Sequence, residues 1–165
     1  MSVSTRAMDT GDWQAVAEIY RQGIQTGDAT LEAEVPAFEK WDAAHKKNCR
    51  IVAVLDGVVV GWVALSPVSG RRVYVGVTEV SIYVSEEHRG EKVGQILLNA
   101  LIEESEKEGY WTLQSSIAEE NVPSVALHHK CGFRTVGVRE RLGRDPEGKW
   151  RNLLLLERRS GKVGL

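Results

Sequence analysis

The segment "EVSIYVSEEHRGEKVGQILLNAL", residues 79–101, constrains the fold more than any other part of the chain. A β-branched run alternates with period 2, ends in a charged loop holding Gly90 and Gly94, and passes at once into an amphipathic helix. That helix sets Val93, Ile96, Leu97, Ala100 and Leu101 on one stripe and stops at Gly109. A strand feeding such a helix calls for a layered α/β arrangement in which the stripe covers a sheet. The helix N-terminus leaves backbone N–H groups without partners and carries partial positive charge. Behind a loop with Arg89, Gly90, Lys92 and Gly94, it suits an anion such as pyrophosphate. The same residues would equally suit a solvated turn that caps a helix.

The flanking sequence fills in the layers. "VSTRAM" reads as a short strand, and "TGDWQAVAEIYRQGIQTG" as a helix with Trp13, Val16, Ala17, Ile19, Tyr20 and Ile24 at helical spacing. "VPAFEKWDAAHKK" reads as a second helix, with Pro36 early and Phe38, Trp41 and Ala44 on one side. "RIVAVLDGVVVGWVALSP" is a hairpin turning at Asp56 and Gly57, and "RRVYVGVTEVSIYV" reads as one long strand. After the central helix come a strand, "WTLQSSI", and a short helix, "NVPSVALHHKCGF", capped by Asn121 and closed by Gly132. "FRTVGVRERLG" and "WRNLLLLERR" are the last two strands. The order is β-αα-βββ-α-β-α-ββ, a mixed sheet in a single domain over residues 1–160, with residues 161–165 expected to fray.

The 165 residues can bury a full core without staples. A net charge of −2 gives no global basic field, so nucleic acid is not expected as a partner. Cys49 and Cys131 lack metal-like spacing and read as reduced thiols, and no metal site is expected. The first residues lack a signal-peptide apolar core, and the apolar stretch at 51–65 is interrupted by Asp56 and Gly57. These features point to a cytoplasmic protein with no membrane segment.

The run Arg89-Gly90-Glu91-Lys92-Val93-Gly94 resembles the Arg/Gln-x-x-Gly-x-Gly/Ala fingerprint of the GNAT superfamily of acyl-CoA-dependent N-acyltransferases. Lys92 stands where the middle glycine is usual; a lysine can adopt helical backbone angles, so the turn is expected to survive. The resemblance extends to "EENVPSVALHHKCGFRTVGVRERLG", and "TGDATLEAEVPAFEKW" and "TEVSIYV" are similar to the phosphinothricin-type branch. That branch acetylates glutamate-analogue antibiotics, their arsenical counterpart, and methionine sulfone or sulfoximine. The resemblance implies a mostly antiparallel central sheet with helices on both faces, acetyl-CoA as co-substrate, a small amine acceptor and a homodimer. It implies that Ile82, Tyr83 and Val84 offer backbone groups to the pantetheine arm. Arg89, Gly90, Glu91, Lys92, Val93, Gly94 and Gln95 would hold the pyrophosphate, and Asn121 would meet the cofactor near the pantetheine. Lys130 is a weaker candidate for a phosphate contact, with a solvated helix-end lysine as the plainer reading.

Acetyl transfer to an amine needs a base, because an ammonium group has no lone pair. Glu79 is the candidate: alternation puts Glu79, Ser81 and Tyr83 on one face of the strand and Val80, Ile82 and Val84 on the other. Donors for a charging carbonyl oxygen could be backbone N–H groups of residues 82–84. His128 stands where the superfamily often has a tyrosine that meets the leaving thiolate. It could protonate that thiolate, bond the acceptor, or simply pack in its helix, while His129 beside it faces the surface. Cys131 has no base at recognisable spacing and reads as core, so direct transfer in a ternary complex is expected. For an anionic acceptor, Arg71, Arg72, Val73 and Tyr74 are candidate substrate contacts, together with Leu31 and Glu32. The branch's usual arginine between the tyrosine and the glutamate is missing here. Rival readings are an acetyltransferase for another amine, such as a protein N-terminus or a polyamine, and a non-catalytic acyl-CoA-binding sensor.

Overall fold

The computed structural model describes residues 2–165. Its elements follow the expected order: β1 (Ser4–Ala7), α1 (Trp13–Gln25), α2 (Phe38–Ala44), β2 (Ile51–Leu55), β3 (Val58–Pro67), β4 (Val77–Val84), α3 (Val93–Lys107), β5 (Thr112–Ala118), α4 (Val122–Lys130), β6 (Arg134–Arg144) and β7 (Trp150–Arg159). The seven strands form one sheet in the order β1-β2-β3-β4-β5-β7-β6. All neighbours are antiparallel except β4 and β5, which run parallel.

Local chemistry explains the turns that set this order. Asp56 and Gly57 both hold positive φ, 51° and 78°, as a two-residue turn between β2 and β3 requires. The central strand β3 is buried on both faces, and its alternate residues serve two cores. Val63 and Leu65 face α3, whose Leu97, Leu98 and Leu101 are fully buried. Trp62 and Ala64 face α1 and α2, which contribute Val16, Ile19 and Trp41. Each such aliphatic side chain contributes roughly 1.5–3 kcal/mol through burial. Helices therefore cover both faces of the sheet.

One expectation needs correction. Residues 71–76 do not extend β4: Arg72–Tyr74 form a short 3-10 turn, and β4 begins at Val77. Gly76, just ahead of β4, lies against the Trp111 ring, where a Cβ would sit 2.1 Å from the indole. The residues that follow β7 hydrogen-bond to its last residue and to Ser160. The Arg159 guanidinium donates to the carbonyl oxygens of Ser160, Val163 and Gly164, and the backbone N–H groups of Lys162 and Val163 donate to Ser160 Oγ.

Candidate active site

The sheet opens where its one parallel pairing ends. Rungs join Val77, Thr78 and Glu79 of β4 to Thr112, Leu113 and Gln114 of β5, and then the two strands separate. Beyond that point β4 keeps β3 on one side, with Ile82 opposite Val63 and Val84 opposite Gly61. Among the described residues its other edge has no strand partner beyond Glu79, and such an edge suits an extended ligand laid alongside. A cavity of about 250 Å³ occupies the split. Its walls include Glu79, Ile82 and Tyr83 from β4, Ser115 and Ile117 from β5, and Asn121 and His128 from the α4 segment. Residues 28–31 and Leu153 close it.

Glu79 stands at the apex of the split, half-buried, with Gln114 Nε2 donating to its Oε1 at 3.1 Å. Next to Gln114, Ser115 is 3% exposed and lies 3.0 Å from His128 Nε2. His128 Nδ1 lies 2.7 Å from the Ser124 carbonyl oxygen, which can only accept. The ring is therefore protonated at Nδ1, and Nε2 accepts from the Ser115 hydroxyl. Burial holds the His128 pKa below its ordinary value near 6.5, so the imidazole is neutral at pH 7. Phe133 packs edge-on against it at 4.9 Å between centroids. His128 thus borders the cavity with both nitrogens engaged, and His129 is on the surface, bonded to Thr135 Oγ1 at 2.8 Å.

At the other end of β4, Glu86–His88 form a 3-10 turn and the loop enters α3. Gly90 adopts φ +82°, a region that suits glycine. Lys92 departs from expectation: its φ of 66° and ψ of 12° are left-handed, not helical. It sits at the N-cap, where α3 has no side-chain cap, so the first-turn N–H groups remain available to an anion. Gly94 sits close to α4, where a Cβ would lie 2.9 Å from Leu127 Cδ2. Val93 is buried in the core, whereas Arg89, Glu91 and Lys92 are exposed, and Glu91 bonds His88 Nδ1 at 2.8 Å. Glu79 and Val84, five steps along an extended strand, are about 17 Å apart. An occupant that reaches from Glu79 to α3 is therefore long, with its anionic end at the helix.

The remaining candidates divide. Leu31 lines the cavity and Glu32 beside it is exposed. The structure does not bring Arg71, Arg72, Val73 and Tyr74 to the cavity walls. They form the exposed turn ahead of β4, with the Arg71 guanidinium 5.5 Å above the Tyr74 ring. Lys130 is an exposed helix-end residue, and Cys131 is buried in the core with its thiol pKa pushed up by that burial. Tyr83 stacks its ring on Trp62 and Tyr20, both at 4.9 Å. Ser115, Gln114 and Asp28 were missed from sequence. The run Gln114, Ser115, Ser116 in an otherwise apolar strand was the available signal.

Residues 13–133 match the model of the acetyltransferase (GNAT) family. The chain belongs to that family. It is similar to the phosphinothricin N-acetyltransferase of Streptomyces viridochromogenes, at 28% identity over 92% of this chain and 84% of the relative. It is equally similar, at 28%, to the L-methionine sulfoximine/L-methionine sulfone acetyltransferase of Pseudomonas paraeruginosa, over 95% of this chain and 94% of the relative. Among solved structures, the GNAT phosphinothricin acetyltransferase of Sinorhizobium meliloti in complex with AcCoA superposes with a TM-score of 0.89. Identity there is 28%, over 99% of this chain and 91% of that one. Among the described residues no helix is long and apolar enough to cross a membrane, and no group of three or more His, Cys, Asp or Glu could hold a metal ion.

Proposed function

We propose that this GNAT protein is an acetyl-CoA-dependent N-acetyltransferase that acetylates the α-amino group of a small amino-acid-like acceptor. The observation that carries the reading is the half-buried Glu79 at the apex of a sheet split that leads to an uncapped helix. Acetyl-CoA supplies the thioester. Glu79 takes a proton from the acceptor ammonium, and Gln114 keeps that carboxylate aimed along the split. The amine nitrogen then attacks the carbonyl carbon directly; the C–N bond forms, the C–S bond breaks, the second nitrogen proton passes to the departing thiolate, and Glu79 returns its proton to solvent. Backbone N–H groups on the open edge of β4 receive the charge that gathers on the carbonyl oxygen. His128 acts through Ser115, whose hydroxyl it holds. Asn121 and the turn at 89–95 bind the cofactor's pantetheine and pyrophosphate, with Arg89 and Lys92 adding charge.

The charged residues on the cavity wall are Asp28 and Glu79, both acidic. This favours an acceptor with one carboxylate and a neutral side chain, the methionine sulfone and sulfoximine class, over phosphinothricin with its additional anion. The same acidity supports a second reading, in which the acceptor is a cationic amine such as a polyamine or a protein N-terminus.

Thiol release from acetyl-CoA tests the proposal, with methionine sulfone, phosphinothricin, spermidine and an alanine-initiated peptide as separate acceptors and a no-acceptor control. Release with methionine sulfone well above the control is expected. Release with spermidine or the peptide alone would replace the acceptor class and keep the reaction. Absence of release with all four, together with retained acetyl-CoA binding, would favour the sensor.

A further inference from the structure

The strongest unassigned feature is a buried arginine behind the cavity. Arg151, near the start of β7, is 4% exposed. Its guanidinium donates through Nη1 to the Gly27 carbonyl oxygen at 2.7 Å and through Nη2 to Asp28 Oδ1 at 2.7 Å. Nε donates to Glu120 Oε1 at 3.1 Å, and Nη1 also reaches Asp145 Oδ2 at 3.4 Å. One side chain thereby joins three segments far apart in sequence: the loop after α1, the turn between β5 and α4, and the turn between β6 and β7.

Two of those segments line the cavity. Asp28 and Asn121 are wall residues, and Asn121 Nδ2 donates to the Asp28 carbonyl oxygen at 3.4 Å. Leu31, a third wall residue, is backed by Gly143 of β6, where a Cβ would lie 2.8 Å from Leu31 Cδ1. Gly143 is in turn the register partner of Arg151. Residues 28–31 are therefore held between the cavity and the β6–β7 arm, with Arg151 as the fastening.

We propose that Arg151 is a positioning residue that fixes the wall at residues 28–31, and thereby sets acceptor affinity without touching the acceptor. The guanidinium faces three carboxylates. Removing it leaves Asp28, Glu120 and Asp145 to repel one another and frees the segment that presents Leu31. Lysine retains the charge but not the planar fork, so it can satisfy only part of the set. The assignment of acceptor affinity rests on the acetyltransferase reading above; the assignment of wall order does not.

The test compares Arg151→Met, Arg151→Lys and Gly143→Ala with the parent protein. Gly143→Ala displaces Leu31 without altering charge. With saturating acetyl-CoA and methionine sulfone as the varied acceptor, KM is expected to rise about tenfold in Arg151→Met, with kcat within about threefold. Arg151→Lys should recover part of the loss, and Gly143→Ala should raise the same KM. A structural role alone would lower the melting temperature and the active fraction while leaving KM unchanged. That result in the soluble variants would overturn the proposal. Should Arg151→Met fail to fold, the other two variants decide. Hydrogen exchange, read without acceptor, should rise in Arg151→Met or Arg151→Lys at residues 27–31 and stay level through α3. Exchange that is unchanged at 27–31, or that rises evenly through α3, also overturns it. A parent protein with no turnover on any acceptor refutes the enzymatic reading, and the exchange result still decides whether Arg151 orders the wall.

Discussion

Glu79 and Gln114 are register partners on the last rung that joins β4 to β5, and Gln114 Nε2 donates to Glu79 Oε1 at 3.1 Å. The bond ties the carboxylate to the point where the sheet begins to open. A carboxylate placed there can accept a proton from an amine that enters the split. A glutamine cannot.

Glu79→Gln is accordingly expected to lower kcat by at least about a hundredfold, the scale of a lost general base. Thiol-release rates across a pH series check this, with acetyl-CoA binding as the control for folding. Unchanged rates across the series would remove Glu79 from the proton path.

Ser115 gives a second test of the same corner. Its hydroxyl donates to a neutral His128, which turns the oxygen's lone pairs toward the cavity, where they can orient the attacking amine only while Ser115 is present. Ser115→Ala should lower kcat about tenfold and leave acceptor KM near its parent value. The variant also leaves His128 Nε2 without its partner, a loss of roughly 1–3 kcal/mol in stability. A fall in melting temperature with kcat intact would make the pair a packing device.

The parts of the molecule written in short segments were legible in the sequence. The turn at Asp56 and Gly57, the apolar stripe of α3 and the Asn121 cap each follow from residues a few positions apart, and they fix the order of elements. The strand alternation that puts Glu79 on a different face from Val80 is equally local. What escaped was long-range. Arg151 meets Asp28 across 123 positions, and Ser115 meets His128 from another element, so no spacing rule connects them. The residues ahead of β4 misled for a related reason. "RRVYVG" has strand composition, but a tryptophan 35 positions away from Gly76 occupies the space in which a straight strand would run.

Lys92 departs from the family glycine and also from helical geometry. A non-glycine residue at φ 66° carries roughly 1–2 kcal/mol of backbone strain, while glycine adds about 0.5–1 kcal/mol of unfolded-state entropy. Lys92→Gly should therefore raise the melting temperature by a few degrees at most, about 1–4 °C. Loss of an exposed cation beside the α3 N-terminus should weaken acetyl-CoA binding about threefold, an effect that shrinks as salt is added. Calorimetric melting and titration at two salt concentrations separate the two effects. Tighter binding in the variant would mean that the lysine obstructs the site.

Burial of His128 also predicts how stability responds to acid. Its folded-state pKa lies below 6.5, so the unfolded chain binds a proton that the folded chain does not. Stability from this group is complete above that value, falls as pH drops through it, and levels off below the folded pKa. His45 is depressed by burial as well and acts in the same window, whereas the lowered carboxylates Asp12, Asp42 and Asp145 act below it. Melting temperatures from about pH 8 to about pH 5 should decline in the parent, and His128→Gln should remove about half of the slope. An identical slope in that variant would assign the effect to His45.

Gly76 and Trp111 control where β4 starts, and so where Glu79 stands. The Gly76 carbonyl oxygen accepts from the N–H groups of Trp111 and Thr112 at 2.9 and 3.1 Å, while the indole covers the glycine Cα. Gly164 also approaches the base of this side chain, where a Cβ would lie 2.6 Å from Trp111 Cβ. Gly76→Ala should then cost about 3 kcal/mol or more and move the first parallel rung, lowering activity together with stability. Gly76→Ala combined with Trp111→Ala should lose less than the sum of the two single changes, because the second removes the obstacle the first creates. Additive losses would show that the indole does not set the start of β4, and would place the cause of the bend elsewhere in the loop.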